Sequence, residues 1–210
     1  MALSANGVLI HEKTIYESNK HTEKVNLIIE ELLLLSKLDI KHIDAISVAI
    51  GPGSYTGLRV GLSVAKGLAF GLGIPIIEIN TLHSLAYLHK GKGKYILPAL
   101  DARRKEVYMN IYHSDLQPYT QTHSYIIDEP NHPKDWPAAS DLIICGPGAE
   151  KMESLLGDNG YTYEKTTCQA INQIETAYNM YLKGINTDIA YIKPLYLKPP
   201  NITKSTKKAF

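Results

Sequence analysis

The sequence contains none of the features that mark a membrane-bound, secreted or disulfide-stabilised protein. Its two cysteines, Cys145 and Cys168, do not form a CxxC pair, which favours free thiols in a reducing compartment. No apolar run approaches the roughly 20 residues that cross a bilayer. The segment Met1–Ile10 lacks the charged start and long apolar stretch of a signal peptide. We therefore expect a cytoplasmic protein without a membrane partner.

A strong net charge is also absent. Lysine and arginine together number 22, aspartate and glutamate 21, and the net charge is +1. Because binding to a phosphate backbone depends on concentrated positive charge, the chain as a whole lacks the field to hold an RNA alone. Any RNA binding is therefore expected to involve a partner. The composition is otherwise that of an ordinary globular protein, 44% hydrophobic and 20% charged.

The first half of the sequence alternates strand and helix signals. The dipeptide Asn6-Gly7 predicts a hairpin within Ala2–Tyr16. A helix from about 23 to 38, with Asn19 or Thr22 as its cap, is followed by the apolar run Ala45–Ile50. A helix over 55–72 and a strand over 74–79 then complete a unit of the right length for a parallel crossover.

The second half carries shorter strand signals and ends in a lysine-rich tail. Predicted strands are 95–100, 106–112, 125–128 and 142–145, and predicted helices are 149–156 and 169–183. A basic, glycine-containing stretch at 89–94 predicts a domain boundary, with one lobe over residues 1–92 and a second over 93–210. Tail lysines such as Lys198, Lys204, Lys207 and Lys208 are typical of a solvated tail, and contact with RNA phosphate is the alternative. The fold class is therefore α/β, with mixed sheets flanked by helices.

The most informative segment is Gly51–Gly73, which reads GPGSYTGLRVGLSVAKGLAFGLG. Glycines in its first part permit a sharp turn from strand to helix, and the Ser54 and Thr56 hydroxyls fall at a helix N-terminus, where anions bind well. The segment is not a P-loop, because no Gly-Lys-Ser/Thr follows at the required spacing. Phosphate binding and a turn that serves only the crossover both remain open.

A row of small residues recurs every fourth position along the helix that follows. Its members are Gly57, Gly61, Ala65 and Ala69, and Gly67 and Gly71 form a second row. Small residues let another backbone approach closely, but the pattern does not say whether that backbone belongs to the same chain. The preceding helix is apolar on two sides, with Leu27 and Leu34 among its leucines, so both sides must be covered.

Three motifs in the same order resemble the TsaB (YeaZ) family. They are GPGSYTGLRVG followed by AKGLAFGLGIPII, the pair Asp101-Ala102-Arg103 and Glu106-Val107-Tyr108, and Pro194-Leu195-Tyr196-Leu197-Lys198, where lysine replaces the family's arginine. Their order and spacing hold from about residue 2 to residue 198. The resemblance implies two related lobes of the actin/Hsp70-like, or ribonuclease H-like, fold.

The resemblance also implies a function. Members of this family are non-catalytic subunits of the machinery that makes N6-threonylcarbamoyladenosine (t6A) at position 37 of tRNA. They pair with the catalytic paralogue TsaD, and the ATPase TsaE joins them. By resemblance, the chain would form a homodimer when alone and contact tRNA only indirectly. ATP and metal would belong to its partner subunits. The alternative is an enzyme of the same superfamily, either a metal-dependent glycoprotease-like protein or an ATPase.

The candidate site residues form three groups: the first two follow from the residue patterns above, and the partner role of the third is what the resemblance implies. The expected partner or dimer interface comprises Leu27, Leu34, Gly57, Gly61, Ala65 and Ala69. The glycine-rich motif comprises Gly51, Pro52, Gly53, Ser54, Thr56, Gly57 and Arg59. A possible partner contact comprises Asp101, Arg103 and Glu106, for which a catalytic cluster and a plain charged hairpin are the alternatives.

Two departures from the wider pattern bear on function. The catalytic paralogue has Asn-His-x-x-x-His after this crossover, whereas this chain has Asn80-Thr81-Leu82-His83-Ser84-Leu85, so neither metal histidine is matched. We therefore expect no catalytic residue and no metal ligand, and we predict His83 and the other histidines, including His89, to be surface or capping residues. The family's first strand, roughly I-L-x-I-D-T-S, has no counterpart before Ala2–Ile10. We accordingly expect an unpaired sheet edge and no nucleotide binding in the first lobe.

Overall fold

The computed structural model describes residues 1–15, 21–127, 133–157 and 159–199, and for residues 21–23 it describes the backbone alone. The predicted cap Asn19, the side chain of Thr22, residue 128 at the end of a predicted strand, and the tail lysines Lys204, Lys207 and Lys208 lie outside this description. None of the helices in these ranges has the length and apolarity needed to cross a membrane.

The chain begins with an antiparallel hairpin of β1 (Ala2–Ala5) and β2 (Val8–Glu12). Its turn is Asn6-Gly7, where both residues have positive φ, 50° and 77°. Asparagine and glycine tolerate this conformation better than other residues, which explains why this dipeptide forms the turn. The hairpin prediction is confirmed.

A helix and a parallel crossover follow the hairpin. They consist of α1 (His21–Ser36), β3 (Ile46–Gly51), α2 (Tyr55–Leu72), β4 (Ile76–Asn80) and the short α3 (Thr81–Tyr87). Helix α2 begins at its N-cap Ser54 and ends at Gly73, whose φ of 69° a side chain would disfavour. Strands β3 and β4 pair in parallel, as the crossover prediction requires.

The second half forms a six-stranded mixed sheet with two helices. Its strands are β5 (Tyr95–Asp101), β6 (Glu106–Met109), β7 (Tyr112–His113), β8 (His123–Ile126), β9 (Leu142–Cys145) and β10 (Thr162–Glu164), and its helices are α4 (Ala149–Leu156) and α5 (Ile174–Leu182). The strand order is β10-β9-β5-β6-β8, with β7 also on β5. Strands β10, β9 and β5 are parallel and the other pairs antiparallel, so the predicted mixed sheet is confirmed.

The predicted strand 106–112 is wrong in one respect, because it is divided into β6 and β7. Between them, the side-chain oxygen of Asn110 accepts hydrogen bonds from the N–H of Ile111, at 2.8 Å, and from the hydroxyl of Thr120, at 2.7 Å. An asparagine side chain that binds the adjacent backbone competes with the ladder and interrupts the strand. The predicted helix 169–183 likewise begins as a 3-10 turn over Ala170–Gln173, and only then becomes α5.

Strand β5 joins two cores because its side chains alternate between the faces of the sheet. Leu97 and Ala99 pack into the core that contains Met152 and Leu156 of α4. Ile96 packs into a second core with Leu82 and Leu85 of α3, together with Cys145. Helices therefore cover both faces of this sheet. Each fully buried leucine contributes about 1.5–3 kcal/mol to folding.

The C-terminal segment, residues 189–198, returns to the first half of the chain. Ile192 is buried beside Leu62 and Ile76, and its carbonyl accepts a hydrogen bond from the Lys66 ammonium at 3.0 Å. The N–H of Leu195 donates to the carbonyl of Ile50, at the end of β3, at 2.8 Å. This segment therefore closes the core beneath α2.

The strands of the first half form two separate pairs, β1–β2 and β3–β4. The N–H of Ile46 donates to Pro75, on the β4 side. Because backbone polar groups alternate along a strand, those of Ser47 and Ala49 point to the opposite edge. No residue of the described ranges pairs with that edge.

We predict that Gly146→Ala destabilises the protein by about 1–3 kcal/mol, because its φ of 98° is strained for a side chain. A Cβ at this position would also lie 2.6 Å from the Ala99 carbonyl oxygen. Urea unfolding would measure the change. The control is Gly67→Ala, a helical site with no atom within 4 Å of the added Cβ; it should stabilise the chain by up to about 1 kcal/mol. Equal stability of Gly146→Ala and the wild type would contradict this account.

Candidate partner interface

Helix α1 has apolar side chains on two sides, as its sequence predicts. Ile28 and Leu32 point inward and are buried. Leu27 and Leu34 are 61% and 79% exposed, and Leu35 beside them is also exposed. Residues seven and eight positions apart fall on one face of a helix. These three leucines therefore form an outer apolar face that no described part of the chain covers.

The predicted row of small residues on α2, Gly57 to Ala69, is divided between the protein surface and the chain's own core. Ala65 and Ala69 are 5% and 0% exposed and pack with Leu62 into the chain's own core, whereas Gly57 is exposed and Gly61 is partly exposed. The reason is geometric: each four-residue step rotates by about 40° around the helix axis, so a row of four turns steadily from outside to inside. For Ala65 and Ala69, the close neighbour is therefore the chain itself.

A different set of small residues lies on the outer face of α2. Thr56, Gly67 and Gly71 are exposed and Val60 is partly exposed, and they lie roughly opposite the buried residues at 100° per residue. A Cβ at Gly67 or Gly71 would meet no atom within 4 Å. Helices α1 and α2 contact each other. We define the α1–α2 surface as Leu27, Leu34, Leu35, Thr56, Val60, Gly67 and Gly71. Counting residues around the helix axis would have found the α2 members in the sequence.

The glycine-rich loop is held by the chain's own C-terminal segment. Gly51 and Pro52 are buried, Gly51 has a φ of 126°, and a Cβ on it would lie 2.9 Å from the carbonyl oxygen of Leu195. The Ser54 hydroxyl accepts a hydrogen bond from Gly57 N–H at 3.4 Å, so it caps the first turn of α2. These contacts favour the crossover-turn interpretation over phosphate binding.

Arg59 joins the start of α2 to the same C-terminal segment. Its guanidinium lies 4.5 Å from the centre of the Tyr55 ring, and its Nε donates to the Tyr196 hydroxyl at 3.1 Å. The two tyrosine rings stack with centroids 4.9 Å apart. Gly53, at the tip of the loop, is exposed, and a Cβ added to it would lie at ordinary contact distance, 3.7 Å, from the Leu58 side chain. The role of Arg59 in this structure is thus to hold the C-terminal segment.

Asp101 and Glu106 are engaged within the chain. Asp101 pairs with Lys151 of α4, and Glu106 pairs with Lys198 of the C-terminal segment. Partial burial favours a raised pKa at Asp101, but hydrogen bonds from Lys151 and from the N–H of Arg103 outweigh it and hold that pKa below its usual value. The two carboxylates thus hold the tertiary structure, whereas Arg103 is exposed. Lys151 was missed in the sequence, because no local pattern links it to Asp101.

Helix α3 shows where the unmatched metal positions lie. Thr81 and Leu85 are buried, and Leu85 packs against β5. His83 lies on another face and lines a cavity of about 320 Å³ with Asn80, Asn110 and Tyr112 among its walls. A threonine and a leucine that face the core cannot ligate a metal there. Across the described ranges, no three histidine, cysteine or acidic side chains are grouped to hold a metal ion.

Two histidines near α3 are less exposed than a surface role predicts. Burial, aided by Lys90, lowers the pKa of His83, whose ring meets Tyr112 edge-on at 5.8 Å. Asn80 rather than His83 caps α3, by accepting from the N–H of Leu82. His89 is 1% exposed, and its Nδ1 lies 3.4 Å from a carboxylate oxygen of Glu164 on β10. The surface prediction was wrong for His89, because β10 packs against it; His83 is half-buried.

Stability should fall in mild acid through His89. Burial lowers the pKa of His89, although Glu164 opposes this effect. Below the ordinary histidine pKa of about 6.5, the unfolded chain therefore binds a proton at His89 that the folded chain does not. The free energy of unfolding then falls by at most about 1.4 kcal/mol for each pH unit. In His89→Gln, the free energy of unfolding, measured by urea titration, should decrease less between about pH 7.5 and pH 5.5 than it does in the wild type. The exposed His42→Gln is the control; identical pH profiles for all three proteins would refute this role.

Relatives of known name share most of this chain. It is 27% identical over 187 residues to the "tRNA threonylcarbamoyladenosine biosynthesis protein TsaB" of Escherichia coli, covering 85% of this chain and 81% of that protein. It is 30% identical over 192 residues to the protein of the same name from Haemophilus influenzae, covering 85% and 80%. A tRNA N6-adenosine threonylcarbamoyltransferase of Geotalea daltonii is 41% identical over 85 residues, 40% of this chain and 25% of that enzyme.

Solved structures show the same fold. The chain superposes on YeaZ from Pseudomonas aeruginosa with a TM-score of 0.74 at 24% identity, covering 90% of this chain and 92% of that one. A crystal structure of a protein with similarity to peptidase YeaZ, from the same organism, gives a TM-score of 0.76 at 22% identity with the same coverage. The family model of TsaD, tRNA N6-adenosine threonylcarbamoyltransferase, matches residues 13–207. The chain therefore belongs to the TsaB (YeaZ) family, within the wider family of TsaD-like threonylcarbamoyltransferase proteins.

Proposed function

We propose that this chain is a non-catalytic scaffold subunit in the synthesis of t6A at position 37 of tRNA. In this proposal it pairs, through the α1–α2 surface, with a TsaD-type catalytic transferase, and a TsaE-type ATPase joins the pair. ATP and metal are held by those partners, and tRNA is bound mainly by them. The exposed apolar side of α1 is the observation that carries the proposal.

The α1–α2 surface has the composition of a helix-packing interface. Leu34 and Leu27 are mostly exposed, and burying such a side chain contributes about 1.5–3 kcal/mol. The exposed Gly67 and Gly71 allow a second helix to approach the backbone of α2 closely. Large exposed apolar patches are rare on proteins that function alone and usually mark an interaction site.

Kinship with the catalytic transferases supports the choice of partner. The family model that matches this chain describes the transferase itself, so a transferase of the same fold would present equivalent helices. Two related surfaces can then pair around an approximate two-fold axis, and two copies of this chain can pair in the same way when the transferase is absent. Thr81 and Leu85, at the positions of the transferase's metal histidines, support a role without catalysis.

We predict that Leu34→Glu abolishes pairing without unfolding the chain. The side chain is 79% exposed, so a charge is tolerated in the free protein but would be desolvated in a complex. Leu182→Glu, at an apolar site on α5 that is 63% exposed, is the matched control. Light scattering after gel filtration, with and without the transferase, would measure pairing, and circular dichroism would check folding. Normal pairing by Leu34→Glu would reject this interface.

Reconstitution tests the function itself. The enzyme that forms threonylcarbamoyl-adenylate, the TsaD-type transferase, the ATPase and unmodified tRNA would be combined with and without this chain, and t6A quantified by mass spectrometry. We expect modification only when the chain is present, and its loss with Leu34→Glu but not with Leu182→Glu. Equal t6A with and without the chain would refute the scaffold role.

A further inference from the structure

We propose that the turn between β5 and β6, residues 102–105, is a phosphate-contact site through which this chain touches RNA directly. The turn holds Arg103, Arg104 and Lys105 in succession, and all three side chains are exposed. None of the three forms an ion pair with any residue that the structure describes. Within the described ranges, no side chain therefore neutralises their charges.

The two acidic residues that adjoin the turn in sequence are engaged by other cations. Asp101 is occupied by Lys151, and Glu106 by Lys198. The Lys151 ammonium also donates to the carbonyl of Glu106, at 3.2 Å. Among these seven described side chains there are five positive and two negative charges, an excess of three. The whole chain has a net charge of only +1, so positive charge is concentrated at this turn.

The backbone of the turn is held in an unusual conformation. Arg103 and Arg104 have φ values of 72° and 49°, where residues other than glycine are uncommon. Four hydrogen bonds brace it: Arg103 N–H to the Asp101 carboxylate at 2.6 Å, Glu106 N–H to Arg103 C=O at 3.1 Å, Ala102 N–H to Glu106 C=O at 3.0 Å, and Ile127 N–H to Lys105 C=O at 2.8 Å. A turn fixed in this way loses less conformational entropy when its side chains bind a ligand.

Two adjacent arginines fit an anion with two accepting oxygens, a phosphate or a carboxylate. Guanidinium groups bind phosphate oxygens through two parallel hydrogen bonds, which a lysine cannot do. The choice of RNA over an acidic protein surface rests on the proposed function, in which the partner complex acts on tRNA. Contacts of this type position a nucleic acid without reading its sequence. The turn would thus add to RNA binding by the transferase rather than replace it.

The test measures binding of a fluorescein-labelled, unmodified tRNA transcript by fluorescence anisotropy, for the full chain alone and with the transferase. Arg103→Gly with Arg104→Gly removes both charges, and glycine suits the positive φ, so folding should be kept. Arg103→Lys with Arg104→Lys keeps the charge. Lys41→Ser with Lys183→Ser removes two exposed cations that have no ion pair elsewhere in the described structure.

The salt dependence distinguishes the outcomes. Each phosphate contact steepens the plot of log affinity against log salt by roughly 0.7–0.9. The double-glycine variant removes two such contacts and should therefore flatten the slope by about 1.4–1.8, for tRNA and for an unrelated RNA hairpin alike. The double-lysine variant should keep the slope, and the Lys41/Lys183 control should match the wild type.

An unchanged slope in the double-glycine variant would overturn the proposal. So would a loss of transferase or ATPase pairing with RNA binding intact, because the turn would then recognise an acidic protein surface. An equal flattening of the salt slope in the Lys41/Lys183 control would also overturn it, because the overall positive charge and not the turn would then determine RNA binding. RNA binding is also measured for the chain alone. This measurement can therefore be interpreted even if the reconstitution shows that the chain is not a scaffold in t6A synthesis.

Discussion

The return of the C-terminal segment to the first half of the chain is the contact on which the functional surfaces depend. Ile192 completes the core under α2, Leu195 fixes the end of β3, Tyr196 stacks at the start of α2, and Lys198 reaches the β5–β6 turn. One stretch of ten residues therefore sets the position of the glycine-rich loop, the α2 helix and the charged turn at once. The inner side of α2 is occupied in this way, and its outer side is not covered by any described part of the chain.

Local patterns predicted what local physics determines. The Asn6-Gly7 hairpin, the parallel crossover around α2 and the two apolar sides of α1 follow from turn chemistry and periodicity, and the structure contains them. Ala65 and Ala69 were assigned to an interface by their four-residue spacing. Because each four-residue step rotates around the helix axis, they point into the chain's own core instead. The assignment of Leu27, Leu34, Gly57 and Gly61 to an interface remains a prediction, as does the division into two related lobes at residue 92.

Contacts between distant parts of the chain were out of reach of the sequence. The burial of His89 depends on β10, more than seventy residues away, and the ion pair of Glu106 depends on Lys198. Asn110 breaks a strand through a hydrogen bond to Thr120 that only the folded loop provides. In each case, the residue type permits several roles, and the neighbour that selects one of them is fixed by packing. The family could be assigned from sequence motifs, whereas the exposed residues could be identified only from the structure.

The separation of β1–β2 from β3–β4 has a consequence for how the chain folds. Each of these pairs joins segments that are close in sequence, by a two-residue turn or by one crossover, so the cost in loop-closure entropy is small. The six-stranded sheet instead requires β5 to meet β9 across the intervening strands and loops. Topologies with such non-local pairing fold more slowly. We therefore expect the first half to acquire its secondary structure early, and the rate of folding to be set by closure of the second.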